Sequence, residues 1–171
     1  MGSARPIVDS QRGQDAGVEK QHLRIALGSD HAGFELKEAI KRHLQNTGHR
    51  VMDFGTQSTE PCDYPDYCGP AAACVANGEA DLGIVLGGSG NGEAMVANKV
   101  HGIRCGVCWD IESAKLTKQH NNANMIAIGA RMVSVEEGIE IVNAWLSAAY
   151  EGGRHEVRLE KLRGWEGECA G

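Results

Sequence analysis

The chain has 171 residues and 18.3 kDa, the size of one domain, with 42% hydrophobic and 23% charged residues and a mean hydropathy of −0.33. These figures exclude a fibrous or wholly disordered chain, and no run of about 18 apolar residues offers a membrane span. Seventeen Lys+Arg against 23 Asp+Glu leave a net charge of −6, the wrong sign for a nucleic-acid surface.

Residues 1–21 are polar and aperiodic and lack a signal-peptide core, so they are expected as a disordered tail of a cytosolic protein. A single α/β domain is expected over 22–165, with a flexible end over 166–171. Leu23–Gly28 reads as a strand, and Leu36, Ile40 and Leu44 mark one face of a helix over Phe34–Asn46 that Gly48 ends. Val51–Phe54 is a second strand, and the alanine-rich Asp66–Asn77 a second helix closed by Gly78. Leu82–Leu86 is the clearest strand, followed by a glycine loop and a helix over Glu93–Lys99. Ile103–Cys108 (strand), Ile111–Gln119 (helix) and Met125–Ile128 (strand) repeat the rhythm. Ser134-Val-Glu-Glu137 fits a capping box for a helix whose apolar face runs from Val135 to Ala149. Gly152–Trp165 is expected as a last helix packing away from the core.

Five strands alternating with helices predict an α/β fold: a doubly wound, five-stranded parallel sheet of Rossmann-like kind, with helices on both faces and a C-terminal helical extension. Six cysteines are scattered without zinc spacing, and the one CxxC, Cys105-Gly-Val-Cys108, falls in a strand, so these read as structural thiols. No metal-ligand set and no cofactor motif emerges. Ligands of such sheets bind beyond the carboxyl ends of the strands. Those positions carry Ser29-Asp30-His31, the loop Gly87-Gly-Ser-Gly-Asn-Gly-Glu93, Trp109-Asp110, and Gly129-Ala-Arg131.

The glycine loop suits an anion held by converging backbone amides. It is neither a P-loop nor GxGxxG, although Asp110, 18 residues after Gly92, leaves a dinucleotide reading open. Glu93 reads first as a first-turn glutamate complementing the helix dipole, and as an alternative as a base beside an oxyanion cradle. His120-Asn-Asn-Ala-Asn124 is explained by a helix C-cap and turn asparagines. Arg154 and Arg158, four apart, suit either a phosphate or a solvated basic face.

Taken together, Gly28-Ser-Asp-His-Ala-Gly-Phe-Glu-Leu-Lys37, Asp63-Tyr-Pro-Asp-Tyr67, the loop Gly87–Glu93 with Ala97-Asn-Lys99, His120–Asn124, and Gly152-Gly-Arg-His155 with Arg158 resemble the ribose-5-phosphate isomerase B family. That family includes galactose-6-phosphate and allose-6-phosphate isomerases. The resemblance spans about Leu23 to Arg163. It implies a metal-free, cofactor-free aldose–ketose isomerisation of D-ribose 5-phosphate and D-ribulose 5-phosphate through a cis-enediol, in a homodimer or tetramer with active sites shared between subunits. A six-carbon sugar phosphate and a non-catalytic sugar-phosphate-binding module stay as alternatives.

The resemblance also implies roles. Asp30 and His31 lie at the sugar-phosphate site, His120 is the acid that assists ring opening, and Asn121 binds substrate beside it. The amides of Gly88, Gly90, Asn91 and Gly92 and the Ser89 hydroxyl hold the enediolate. Arg131, Arg154 and Arg158 grip the phosphate. Many family members carry a cysteine base where this chain has Gly87; here Glu93 takes that role, moving a proton between C2 and C1.

Overall fold

A computed structural model describes residues 22–168. The tail expected over 1–21 and the last three residues, Cys169 among them, lie outside this range. Eleven elements follow in order: β1 (Arg24–Ser29), α1 (Phe34–Asn46), β2 (Arg50–Asp53), α2 (Pro65–Ala76), β3 (Leu82–Gly87), α3 (Asn91–Ala97), β4 (Cys105–Val107), α4 (Ile111–Asn121), β5 (Met125–Gly129), α5 (Val135–Ser147) and α6 (Arg154–Glu168). All strand pairings are parallel, in the order β2-β1-β3-β5-β4.

Side chains alternate across the sheet, so each strand feeds two cores. Ile25, Leu27, Ile84, Leu86, Ile126 and Ile128 face one way, against Leu36, Ile40 and Leu44 of α1, Ala114 of α4, and Ile141, Val142 and Trp145 of α5. Ala26, Val85 and Ala127 face the other way, against α2 and α3. Small residues on that second face let α2 press close. A Cβ on Gly28 would stand 2.7 Å from the Tyr67 carbonyl oxygen.

The expected elements are present, with shifted ends. The strand expected over Ile103–Cys108 contracts to β4. Arg104 turns its side chain to the carbonyls of Asn121 and Asn122, and the Asn98 amide pairs with both the N–H and C=O of Cys105 at 2.8 Å. Asn98 thus acts as a one-residue strand on the open side of the sheet edge. The helix expected to reach Ala149 stops at Ser147, and α6 continues past Trp165, the expected domain end. Both α4 and α5 begin with capping boxes, from Asp110 and Ser134.

Lys37 is fully buried, its ammonium bonded to both Asp53 carboxylate oxygens at 2.9 and 2.7 Å and to Glu38 at 2.7 Å. Burial raises the Asp53 pKa, but the bonds from Lys37, Lys41 and the Gly55 amide outweigh it and hold the carboxyl below its ordinary value. Its stabilising contribution is therefore present above the ordinary aspartate pKa and is lost as pH falls through the depressed one. Asp53→Ala leaves a buried ammonium with Glu38 alone. It should cost about 3 kcal/mol, at the low end of the range for breaking a buried pair, read from urea denaturation at fixed protein concentration. A Lys37→Met/Asp53→Leu double variant that is no more stable than Asp53→Ala would refute this account.

Candidate active site

The sheet order changes direction between β1 and β3, and the loops leaving these two strands meet there. Asp30 directly follows β1. Its amide donates to the Leu86 carbonyl at 3.3 Å, and its Oδ1 accepts the Ala32 and Gly33 amides at 2.9 and 3.1 Å. Beside it His31 accepts the Cys62 amide through Nδ1 at 3.2 Å.

The glycine loop leaves β3 and turns into α3 through Gly90, whose φ of +82° is one a side chain resists. Residues after β5 hold it in place. Ala130 and Arg131 donate their amides to the carbonyls of Gly87 and Gly88 at 2.8 and 3.1 Å. Ser89 Oγ accepts the Asn91 amide at 3.3 Å. The Arg131 guanidinium lies over Gly88, where an added Cβ would be 3.2 Å from Nη1.

Glu93, in the first turn of α3, folds back beneath this loop and is 4% exposed. Its carboxylate fills the space where a side chain on residue 87 would stand: a Cβ built on Gly87 would fall on Glu93 Oε1. Burial pushes its pKa up and the Asp30 charge adds to this, while the amides of Glu93 and Gly90 pull the other way; the net shift is upward. A buried, raised-pKa carboxylate beside converging amides can take a proton from carbon while the amides receive the charge that develops on oxygen.

A second cluster forms at the opposite edge of the sheet. A β–α–β crossover returns its helix to the edge where the strands begin, and this places His120 and Asn121, the last residues of α4, beside Arg104 just ahead of β4. The His120 ring stacks on His155 of α6, centroids 4.3 Å apart. Arg154 and Arg158 flank His155 on the first turns of α6. Burial, then His120, Arg154 and Arg158, lower the His155 pKa against the opposing pull of Glu151.

The predicted residues therefore fall into two groups. Asp30, His31, Gly88, Ser89, Gly90, Asn91, Gly92, Glu93 and Arg131 share one edge; His120, Asn121, Arg154 and Arg158 share the other. Strands of five or six residues separate the edges by about 17 Å. The structure also brings Glu151 and the buried His155 to His120, with Glu151 Oε2 3.8 and 3.7 Å from the two Nε2 atoms. Sequence reasoning passed over Glu151 and quoted His155 only as part of a motif, without a role, since no fixed spacing links 120 to 151. The five described cysteines are free thiols, and burial drives Cys108 up to about 12 and Cys105 higher still, which suits structural roles.

Comparison with known proteins agrees with this fold. Ribose-5-phosphate isomerase B of Escherichia coli is 49% identical over 139 residues, 81% of this chain and 93% of that protein. The enzyme of the same name from Mycobacterium tuberculosis is 44% identical over 146 residues, 84% of this chain and 90% of its own. The solved ribose-5-phosphate isomerase B of Clostridium thermocellum superposes with a TM-score of 0.83 at 43% identity, covering 84% of this chain and 97% of that one. That of Mycoplasma genitalium, with bound ribulose-5-phosphate, gives 0.81 at 39%, covering 85% and 97%. The sequence profile of the Ribose/Galactose Isomerase family matches residues 25–162, and the chain belongs to that family.

Proposed function

We infer that the chain interconverts D-ribose 5-phosphate and D-ribulose 5-phosphate by proton transfer between adjacent carbons. The observation that carries this reading is Glu93, buried under an amide-lined loop at the sheet's switch point. His120 gives a proton to the ring oxygen as the sugar opens, and the anomeric hydroxyl releases its proton to water to leave the C1 aldehyde. Glu93 removes the C2 proton, the electron pair forms the C1–C2 double bond, and the aldehyde oxygen becomes the enediolate oxygen. The loop amides and the Ser89 hydroxyl hold that charge. The C2 hydroxyl gives its proton to O1, which becomes the C1 hydroxyl, and return of the proton from Glu93 to C1 completes the ketose with its carbonyl at C2. Asp30, its carboxylate oriented by two amides on Oδ1, binds a substrate hydroxyl, and Arg131, Arg154 and Arg158 hold the phosphate.

One chain cannot bring these groups together, because its two clusters stand about 17 Å apart across the sheet. A second copy supplies the missing half. We therefore read the working unit as a homodimer in which His120, Asn121, Arg154 and Arg158 of one subunit face the glycine loop of the other. Exposed Trp109, Met95, Leu162 and Trp165 provide apolar surface for such a contact. A cavity of about 640 Å³ between β4 and α6, lined by Val100, Ile103, Leu162 and Trp165, adds to it. Among the described residues no helix is long and apolar enough to cross a membrane. Free thiols and a sugar-phosphate substrate suit the cytosol.

A steady-state assay in EDTA with ribose 5-phosphate and allose 6-phosphate tests the reading. Turnover of ribose 5-phosphate is expected to survive the chelator, and turnover of neither sugar would sink it. Since Glu93 works ionised and its pKa is raised, kcat/KM should fall as pH drops, with a midpoint above the usual carboxylate range. An acid limb at an ordinary glutamate value would remove Glu93 from the role of base.

A further inference from the structure

His120, Glu151 and His155 converge from the end of α4, the loop after α5 and the first turn of α6. We propose that they form a zinc site, ligated by the two imidazole Nε2 atoms and one Glu151 carboxylate oxygen, whose filling switches the isomerase off by withdrawing His120. The switch rests on the role given to His120 above; the site does not.

The three ligand atoms lie within 4.8 Å of one another. Ligands of a tetrahedral zinc with bonds of about 2.0–2.1 Å stand about 3.3 Å apart, so the Glu151 oxygen, 3.8 and 3.7 Å from the two Nε2 atoms, has to approach each ring by about half an ångström, and the two ring nitrogens have to close on one another by at most about 1.5 Å. The rings are now stacked, their planes 12° from parallel, so their in-plane lone pairs do not point at a common ion. Each must turn about its Cβ–Cγ bond for both lone pairs to meet one ion. The Glu151 amide donates to the Gln119 carbonyl at 3.0 Å, which fixes the root of the carboxylate beside the end of α4, and Glu151 and His155 are four residues apart.

Two imidazoles and a carboxylate suit a borderline cation such as Zn²⁺, and three protein ligands leave a fourth position for water. His120 and Glu151 are partly exposed, so an ion can enter, whereas buried His155 anchors the floor. An ion on His120 Nε2 leaves that nitrogen with no proton to give to a ring oxygen, and breaking the stack moves the ring from its place.

The test titrates the full, chelator-washed chain with Zn²⁺ by calorimetry and with Co²⁺ by visible absorption, beside Glu151→Gln and His155→Gln, and follows turnover across the Zn²⁺ range. One ion per chain is expected, with a Co²⁺ spectrum free of thiolate charge transfer. Turnover should be lost on filling and restored by EDTA. Affinity should fall about tenfold or more in either variant, while Glu151→Gln keeps its zinc-free turnover. Absence of binding, a thiolate band, or unchanged affinity in both variants overturns the site. Full binding with turnover intact overturns the switch and with it the role assigned to His120. The calorimetric and absorption readings decide the site even if the chain turns over no sugar, which keeps a failed functional reading separate.

Discussion

Glu93→Gln lowers kcat on ribose 5-phosphate by about two orders of magnitude or more and leaves KM within a few-fold, the pattern of a lost general base. Glutamine keeps the size of the side chain and a carbonyl oxygen for the Gly90 and Glu93 amides, so the loop should keep its shape. It removes only the site that takes the proton. A companion variant separates position from chemistry. Gly87→Ala places a methyl group where the Glu93 carboxylate lies, so the carboxylate has to leave its place with its charge intact. About a tenfold or larger loss of kcat is expected, because a displaced base is nearly as costly as an absent one. Full activity in Glu93→Gln would move the base elsewhere, with Asp30 next in line. Full activity in Gly87→Ala would mean that the observed carboxylate position is not the working one.

Periodicity made most of this fold legible. Leu36, Ile40 and Leu44 fixed α1 to the residue, and the capping box at Ser134 marked the start of α5, whereas the one at Asp110, closed by Ser113 in place of a glutamate, emerged only in the structure. Less legible was the edge strand β4, where an Asn98 side chain takes over ladder bonds that hydrophobic pattern cannot reveal. Glu93 stood between two readings in sequence because a first-turn glutamate and a buried base share one position. Only the direction of the side chain, under the loop and over Gly87, separates them. The division of the site was readable in principle. A crossover helix must return to the edge where the strands begin, so His120 at the end of α4 belongs opposite the glycine loop on topology alone. Glu151 and His155 were not readable, since their approach to His120 depends on how the loop after α5 folds back onto Gln119.

Mixing two dead proteins should restore activity if the site is shared. Glu93→Gln spoils the edge that bears the glycine loop, and His120→Asn spoils the edge that bears the acid. In a mixed dimer one site carries both changes, and the other carries Glu93 from one subunit and His120 from its partner. Co-expression with random pairing makes about half the dimers mixed, each with one intact site, so about a quarter of wild-type turnover should return. No arrangement confined to a single chain gives this result, because each polypeptide then carries its own lesion in its only site. Recovery near zero would therefore overturn the shared site and require His120 to reach the loop of its own chain, against the height of the sheet. Recovery near a quarter would place Glu93 and His120 of different subunits in one site, and with them arginines of both subunits, since Arg131 sits with Glu93 whereas Arg154 and Arg158 sit with His120.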